Sequence, residues 1–303
     1  MKLTERDTKL FYKLNWAVLH YVNQKHGVIN ILKSANFAEQ SLEKVDKLFK
    51  IIFSQPDLID RFVEENPDGL SAEELKIVKG WKNFRTGRYI VMKHTRTHSA
   101  FMEIGKETKV YGVVGLHSEI SEVAGPNVPV MVETSLLPFK GRIVYCGFMF
   151  SGNVLFGSGI KSSFQDGYRE SVAKYGVITS LDVPVQKLRN SDEELVRFYS
   201  ASEASRAQYA TELKALLKAH PELVSVHYQE IGKSNSRRLA RRLSTIGVES
   251  AWFAVLEDSV IASSETEDEA RERAERLIPE GRKGHIYVFR HRKKPIAGRR
   301  ASR

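Results

Sequence analysis

Val130-Met131-Val132-Glu133-Thr134-Ser135-Leu136-Leu137-Pro138-Phe139-Lys140-Gly141-Arg142-Ile143-Val144-Tyr145-Cys146-Gly147-Phe148-Met149-Phe150 is the stretch that decides the fold. A β-patterned run enters a Pro-Phe-Lys-Gly turn and a second β-patterned run leaves it, as in a hairpin. Outward from this centre the period stays at two. Strands are expected over Arg88–His94, Ser99–Ile104, Lys109–Leu116, Val128–Leu136, Arg142–Phe150 and Val154–Ile160, the last two joined across Ser151-Gly152-Asn153. Short sequential strands of this kind favour an antiparallel sheet or small barrel over a parallel sheet.

Upstream the period is helical. Leu10, Phe11, Leu14, Ala17, Val18, Tyr21 and Val22 mark one helix face that stops at Gly27, and Phe37–Phe53 fits a second amphipathic helix. Pro56 opens a short third helix, and Ser71 with Glu74 forms a capping box for a fourth that runs towards Trp81. Downstream, a helix over Phe164–Tyr175 is closed by Gly176 in a left-handed cap, and Val177–Leu181 returns as an edge strand.

After Pro184 the character changes. A helical region opens at Ser191 and reaches Ala219. It is followed by a strand over Val224–Gln229, a basic helix over Ser234–Ile246, a hairpin from Ala251–Leu256 to Val260–Ala262, a helix capped by Thr266 and Glu269, and a strand over His285–Arg290. The expectation is an α+β protein: N-terminal helices packed on a central antiparallel sheet or small barrel within 1–185, a basic α+β module over 186–290, and a disordered basic tail over 291–303.

Several segments in order resemble a family of bacterial proteins with no assigned activity. They are Phe11-Tyr12-Lys13-Leu14-Asn15-Trp16, Tyr21-Val22-Asn23, Leu58 to Pro67, Leu70 to Leu75, Trp81 to Phe84, Val110-Tyr111-Gly112-Val113, Leu136 to Gly147 and Tyr175 to Leu181. The resemblance covers residues 1 to about 185. It implies a domain boundary there and no catalytic residue or cofactor. Cys146 departs from the family pattern, which has an acidic residue at that place. The segment from Trp252 to Ser263 is similar to small prokaryotic domains of unknown function.

Composition narrows the function classes. No apolar run approaches the ~20 residues of a membrane span, and the charged N-terminus lacks a signal-peptide core. One cysteine excludes an internal disulfide and a multi-cysteine zinc site, so a cytoplasmic location is expected. Of the net charge of +10, the nine lysines and arginines from Gly281 to Arg303, with no acid among them, account for nearly all.

Candidate chemistry is sparse. His94 and His98, with His117, form at most an incomplete metal set. Glu119, Glu122 and Glu133, with Lys140, offer carboxylates for an acidic hydrolase site, and Gly157-Ser158-Gly159 a weak anion cradle. Tyr111, Tyr145, Phe148 and Phe150 are candidate base-stacking residues. The strongest pattern is electrostatic: Lys233, Arg237, Arg238, Arg241 and Arg242 on one helix, continued by Arg292, Lys293, Lys294, Arg299 and Arg300. Phosphate contact needs no fixed spacing, so the expected function is sequence-independent contact with RNA or DNA by a non-enzymatic protein without a cofactor. A protein-interaction module in 1–185 and a hydrolase with an acidic site on the sheet are the alternatives.

Overall fold

The computed structural model describes residues 1–30, 42–105, 108–152, 156–182 and 191–292. The chain forms two compact units, Met1–Arg189 and Asn190–Arg303. It is an α+β protein.

The first unit opens with helices α1 (Glu5–His26), α2 (Leu42–Ser54), α3 (Asp57–Glu65) and α4 (Ala72–Gly80), the last running into a 3-10 turn at Trp81–Asn83. Local chemistry sets their ends. Thr4 accepts a hydrogen bond from the Asp7 amide at the start of α1, and Gly27 ends it with φ +64°. Ser71 and Glu74 form the reciprocal capping box at α4. The start expected for the second helix falls partly on 31–41, outside the described residues.

Strands β1 (Arg85–His94), β2 (Ser99–Glu103), β3 (Val110–Val114), β4 (Val130–Phe139) and β5 (Arg142–Gly152) close into a barrel in the order β1-β2-β3-β5-β4. A short helix α5 (Ile120–Val123) lies between β3 and β4. All neighbouring pairs are antiparallel except β3 with β5, where Val113 faces Ile143 and Val114 faces Val144. The two turn residues between β4 and β5, Lys140 and Gly141, have φ of 50° and 71°. Positive φ at both central positions matches the right-handed twist of a tight hairpin.

Both sides of the barrel wall are buried along β2, β3 and the middle of β1, which explains their near-continuous apolar runs. One set of alternating side chains, including Tyr89, Val91, Phe101, Tyr111 and Val113, joins the large core with the N-terminal helices. The intervening set, Ile90, Met92, Ala100, Met102 and Val110, lies beneath Phe164, Tyr168 and Val172 of helix α6 (Ser158–Tyr175). The N-terminal helices dock through aromatic contacts, with Phe11 5.7 Å from Trp81 and 5.5 Å from Phe139.

The expected sixth strand over Val154–Ile160 is not formed among the described residues. β5 runs through Gly152, 153–155 fall outside the described residues, and Ser158 to Ile160 already form the first turn of α6. Covering Ile90 and Met102 requires an apolar stripe at helical spacing, and Phe164, Tyr168 and Val172 supply it. Gly176 has the expected positive φ, but its ψ of −169° is extended rather than left-handed helical. The expected edge strand over Val177–Leu181 is reduced to one bridge, Ile178 with Tyr111.

The second unit begins with α7 (Asp192–Ser200), α8 (Glu203–Gln208) and α9 (Ala210–Ala219), so the helical region expected from Ser191 to Ala219 is divided into three helices, with Ser202 recapping the chain at α8. Helix α10 (Val224–Thr245) follows, then strands β6 (Ala251–Leu256) and β7 (Ser259–Ser264), helix α11 (Glu267–Leu277) and strand β8 (Tyr287–His291). The sheet order is β7-β6-β8, all antiparallel. The strand expected at Val224–Gln229 is instead the first part of α10. Its β-branched alternation yields to packing: a Cβ on Gly232 would lie 2.7 Å from Tyr287 Cβ, so helix and strand meet backbone to side chain.

Alternation along this sheet separates its two helices. Phe253, Val255 and Phe289 pack with Leu239 and Leu243 of α10. Ala254 and Val288 pack with Ala270 and Ala274 of α11. The two helices therefore cover opposite faces of the sheet.

Candidate nucleic-acid interface and a barrel-side cavity

Arg237, Arg238, Arg241 and Arg242 are all exposed. At 100° per residue they span one side of α10, while Gly232, Ser236, Leu239 and Leu243 turn the other way, towards the sheet. None of the four arginines makes an ion pair among the described residues. Their neutralisation by the acidic stretch Glu265–Glu275 is prevented by placement, because α11 lies across the sheet. Two carboxylates of α11 are also engaged on their own helix, Glu267 with Arg271 at 4.0 Å and Glu272 with Arg276 at 3.6 Å.

Lys233 differs from the other four. Its ammonium lies 3.1 Å from Glu230, a buried carboxylate that also holds Arg197 at 3.0 Å. Burial of a carboxylate is tolerable when it is paired in this way; Arg197 ties it to α7, and Lys233 pairs with it from its own helix. Arg292 is exposed just beyond β8, and Lys293, Lys294, Arg299 and Arg300 lie outside the described residues.

The barrel offers little to nucleic acid. Five-stranded Greek-key barrels that bind oligonucleotides use the face of their second and third strands. Here that face is beneath α6. Of the candidate stacking residues, Tyr111, Tyr145 and Phe148 are buried, and Phe150 alone is exposed, at 49%.

The carboxylates considered for hydrolysis are dispersed. Glu119 meets the amino group of Met1 at 3.1 Å, Glu122 caps the Glu119 amide, and Lys140 pairs with Asp7 at 2.6 Å. Two of the histidines are also engaged: His94 Nδ1 is 2.8 Å from Ser99 Oγ and its Nε2 is 3.2 Å from the Gly125 carbonyl, and His98 Nδ1 is 3.0 Å from Thr97 Oγ1. No group of three His, Cys, Asp or Glu suited to a metal ion occurs among the described residues.

Sequence spacing gave no signal for two arrangements. In the second unit His227 Nδ1 lies 2.7 Å from Ser200 Oγ, the separation of a nucleophile and its base. Ser200 is fully buried, so this pair fastens α7 to α10 and meets no substrate. Burial, reinforced by Arg206, holds His227 below the ordinary imidazole range, and burial with Arg282 does the same for His285. A depressed imidazole pKa means the unfolded chain binds protons more readily, so stability is greatest above the ordinary value and declines as pH falls through 6.5. Thermal midpoints recorded between pH 7.5 and 5.5 are expected to fall with acidification, and less steeply in His227→Gln. Equal slopes would remove His227 from the account.

The other is a cavity of about 290 Å³ in the first unit, between α2 and the outer side of β4 and β5. It owes its shape to a bulge. Thr134 faces Met149 and Leu136 faces Tyr145, so three residues of β5, Cys146 to Phe148, oppose Ser135 alone. Gly147 takes φ +93° there, and Asn15 Nδ2 donates to the Cys146 carbonyl at 2.9 Å. The strand is pushed outward, as bulges do beside binding sites. Phe49, Phe53, Phe84 and Phe148 form the apolar walls, and Asp46, Lys50 and Glu133 are the charged lining. Cys146 also lines it, and burial pushes its thiol pKa up, away from the reactive thiolate.

No family model, curated protein or solved structure matches this chain.

Proposed function

We propose that this protein contacts nucleic acid through the phosphate backbone, without reading sequence, by the arginine face of α10 and the basic residues that follow β8. One observation carries the reading: four exposed arginines on adjacent turns are left without carboxylate partners among the described residues. Leu239 and Leu243 hold the opposite side of the helix against the sheet, which turns the arginine side away from it. Arginine suits the role because its planar fork matches phosphate oxygens with two parallel donors.

A salt titration of binding to mixed-sequence DNA and RNA tests the reading. The full chain is compared with one ending at Arg292, which keeps β8 and its core residues Val288 and Phe289. Ending the chain at Pro279 would instead remove a strand from the sheet. The expected result is a linear fall of log affinity with log salt for both, shallower for the shorter chain as phosphate contacts are lost. No measurable binding by either at about 50 mM salt would overturn the reading.

A further inference from the structure

We infer that the cavity beside α2 is a binding site for a small aromatic or alkyl-aromatic amine in its cationic form. This goes beyond the proposed nucleic-acid contact and rests on the other unit of the chain. Size comes first. A cavity of about 290 Å³ is roughly twice the ~150 Å³ that admits benzene in a protein core, and so suits a bicyclic ring system. Wall chemistry comes second. Phe53 packs on Phe84 with centroids 4.6 Å apart, and Phe49 stacks on Phe53 at 5.8 Å, giving a continuous aromatic surface. Phe148 closes another side from the bulge.

Charge then selects the sign of the ligand. Asp46 and Lys50 neutralise one another at 2.6 Å, one turn apart on α2. Glu133 is the remaining formal charge in the lining, so the cavity carries a net −1. Asp46 and, more weakly, Glu133 both hold the Lys50 ammonium above its ordinary range, and all three line the same cavity. Phenyl faces present negative potential to a cation, and a carboxylate at the rim adds to it. The neutral hydroxyls are already engaged: Thr86 with Ser135 at 2.7 Å, and Thr134 donating to the Phe148 carbonyl at 2.5 Å. Recognition therefore falls to rings and charge.

The test uses the full chain and three probes of one shape: 1-naphthylmethylammonium, neutral 1-methylnaphthalene and anionic 1-naphthoate, titrated by calorimetry or ligand-observed magnetic resonance. The cation is expected to bind at least about tenfold more tightly than the anion. Two substitutions at exposed positions should act in opposite directions. Glu133→Gln removes the uncompensated charge and should weaken the cation about fivefold, whereas Lys50→Gln frees Asp46 and should strengthen it by a similar factor. A general disturbance of the fold would weaken both. Equal binding of cation and anion, no binding of the cation at millimolar concentration, or a change of the same sign in both variants would each overturn the assignment.

Discussion

Replacing Arg237, Arg238, Arg241 and Arg242 together with glutamine is expected to lower affinity for duplex DNA by two to three orders of magnitude at about 50 mM salt. The estimate treats each arginine–phosphate contact as about 1 kcal/mol at an exposed site, with 1.4 kcal/mol equal to a factor of ten. The salt dependence is the sharper readout. Four lost contacts should reduce the slope of log affinity against log salt by about 3.6, at roughly 0.9 per phosphate neutralised. Glutamine keeps the helix propensity of arginine, and all four positions are exposed, so the thermal midpoint should hardly move. The matching lysine variant retains charge while losing the bidentate fork. It should keep most of the slope and lose part of the affinity. An unchanged slope in the glutamine variant would show that α10 is not the contacting surface.

Phe101→Ala is expected to destabilise the first unit by about 3–5 kcal/mol in chemical denaturation, the range for truncating a fully buried phenyl. Phe101 is 0% exposed and sits in register between Val91 and Tyr111, with its ring 6.0 Å from that of Tyr89. A barrel interior is closed by hydrogen-bonded strands all round, so the walls cannot collapse into the space left behind. Loss of this size is a large share of the 5–15 kcal/mol that typically separates folded from unfolded chains. Phe150→Ala, on the same barrel but 49% exposed, should cost under about 1 kcal/mol. A similar cost at both positions would contradict the assignment of inward and outward faces.

How far the sequence disclosed this molecule depends on the range of each interaction. The β4–β5 hairpin was legible because its turn chemistry is local: Lys140 and Gly141 lie between two alternating runs. The parallel pairing of β3 with β5 was not, since strands separated by another strand leave no mark on either sequence. The same limit explains Val224–Gln229, whose alternation reads as strand until Gly232 is seen pressed against Tyr287. The arginine face was legible because it needs only helical spacing and charge. The cavity was not. Asp46, Phe84, Glu133 and Cys146 come from separate segments, and only the closed barrel with α2 beside it brings them to one space.

The separation of α10 and α11 by a three-stranded sheet has a kinetic consequence. A body with arginines on one side and carboxylates on the other has a permanent dipole across its thickness. In the field of any polyanion it experiences a torque that turns the arginine side inward before contact, which raises the fraction of encounters that succeed. For the proposed nucleic-acid partner, orientation during approach would thus follow from which residues of β6 face which helix.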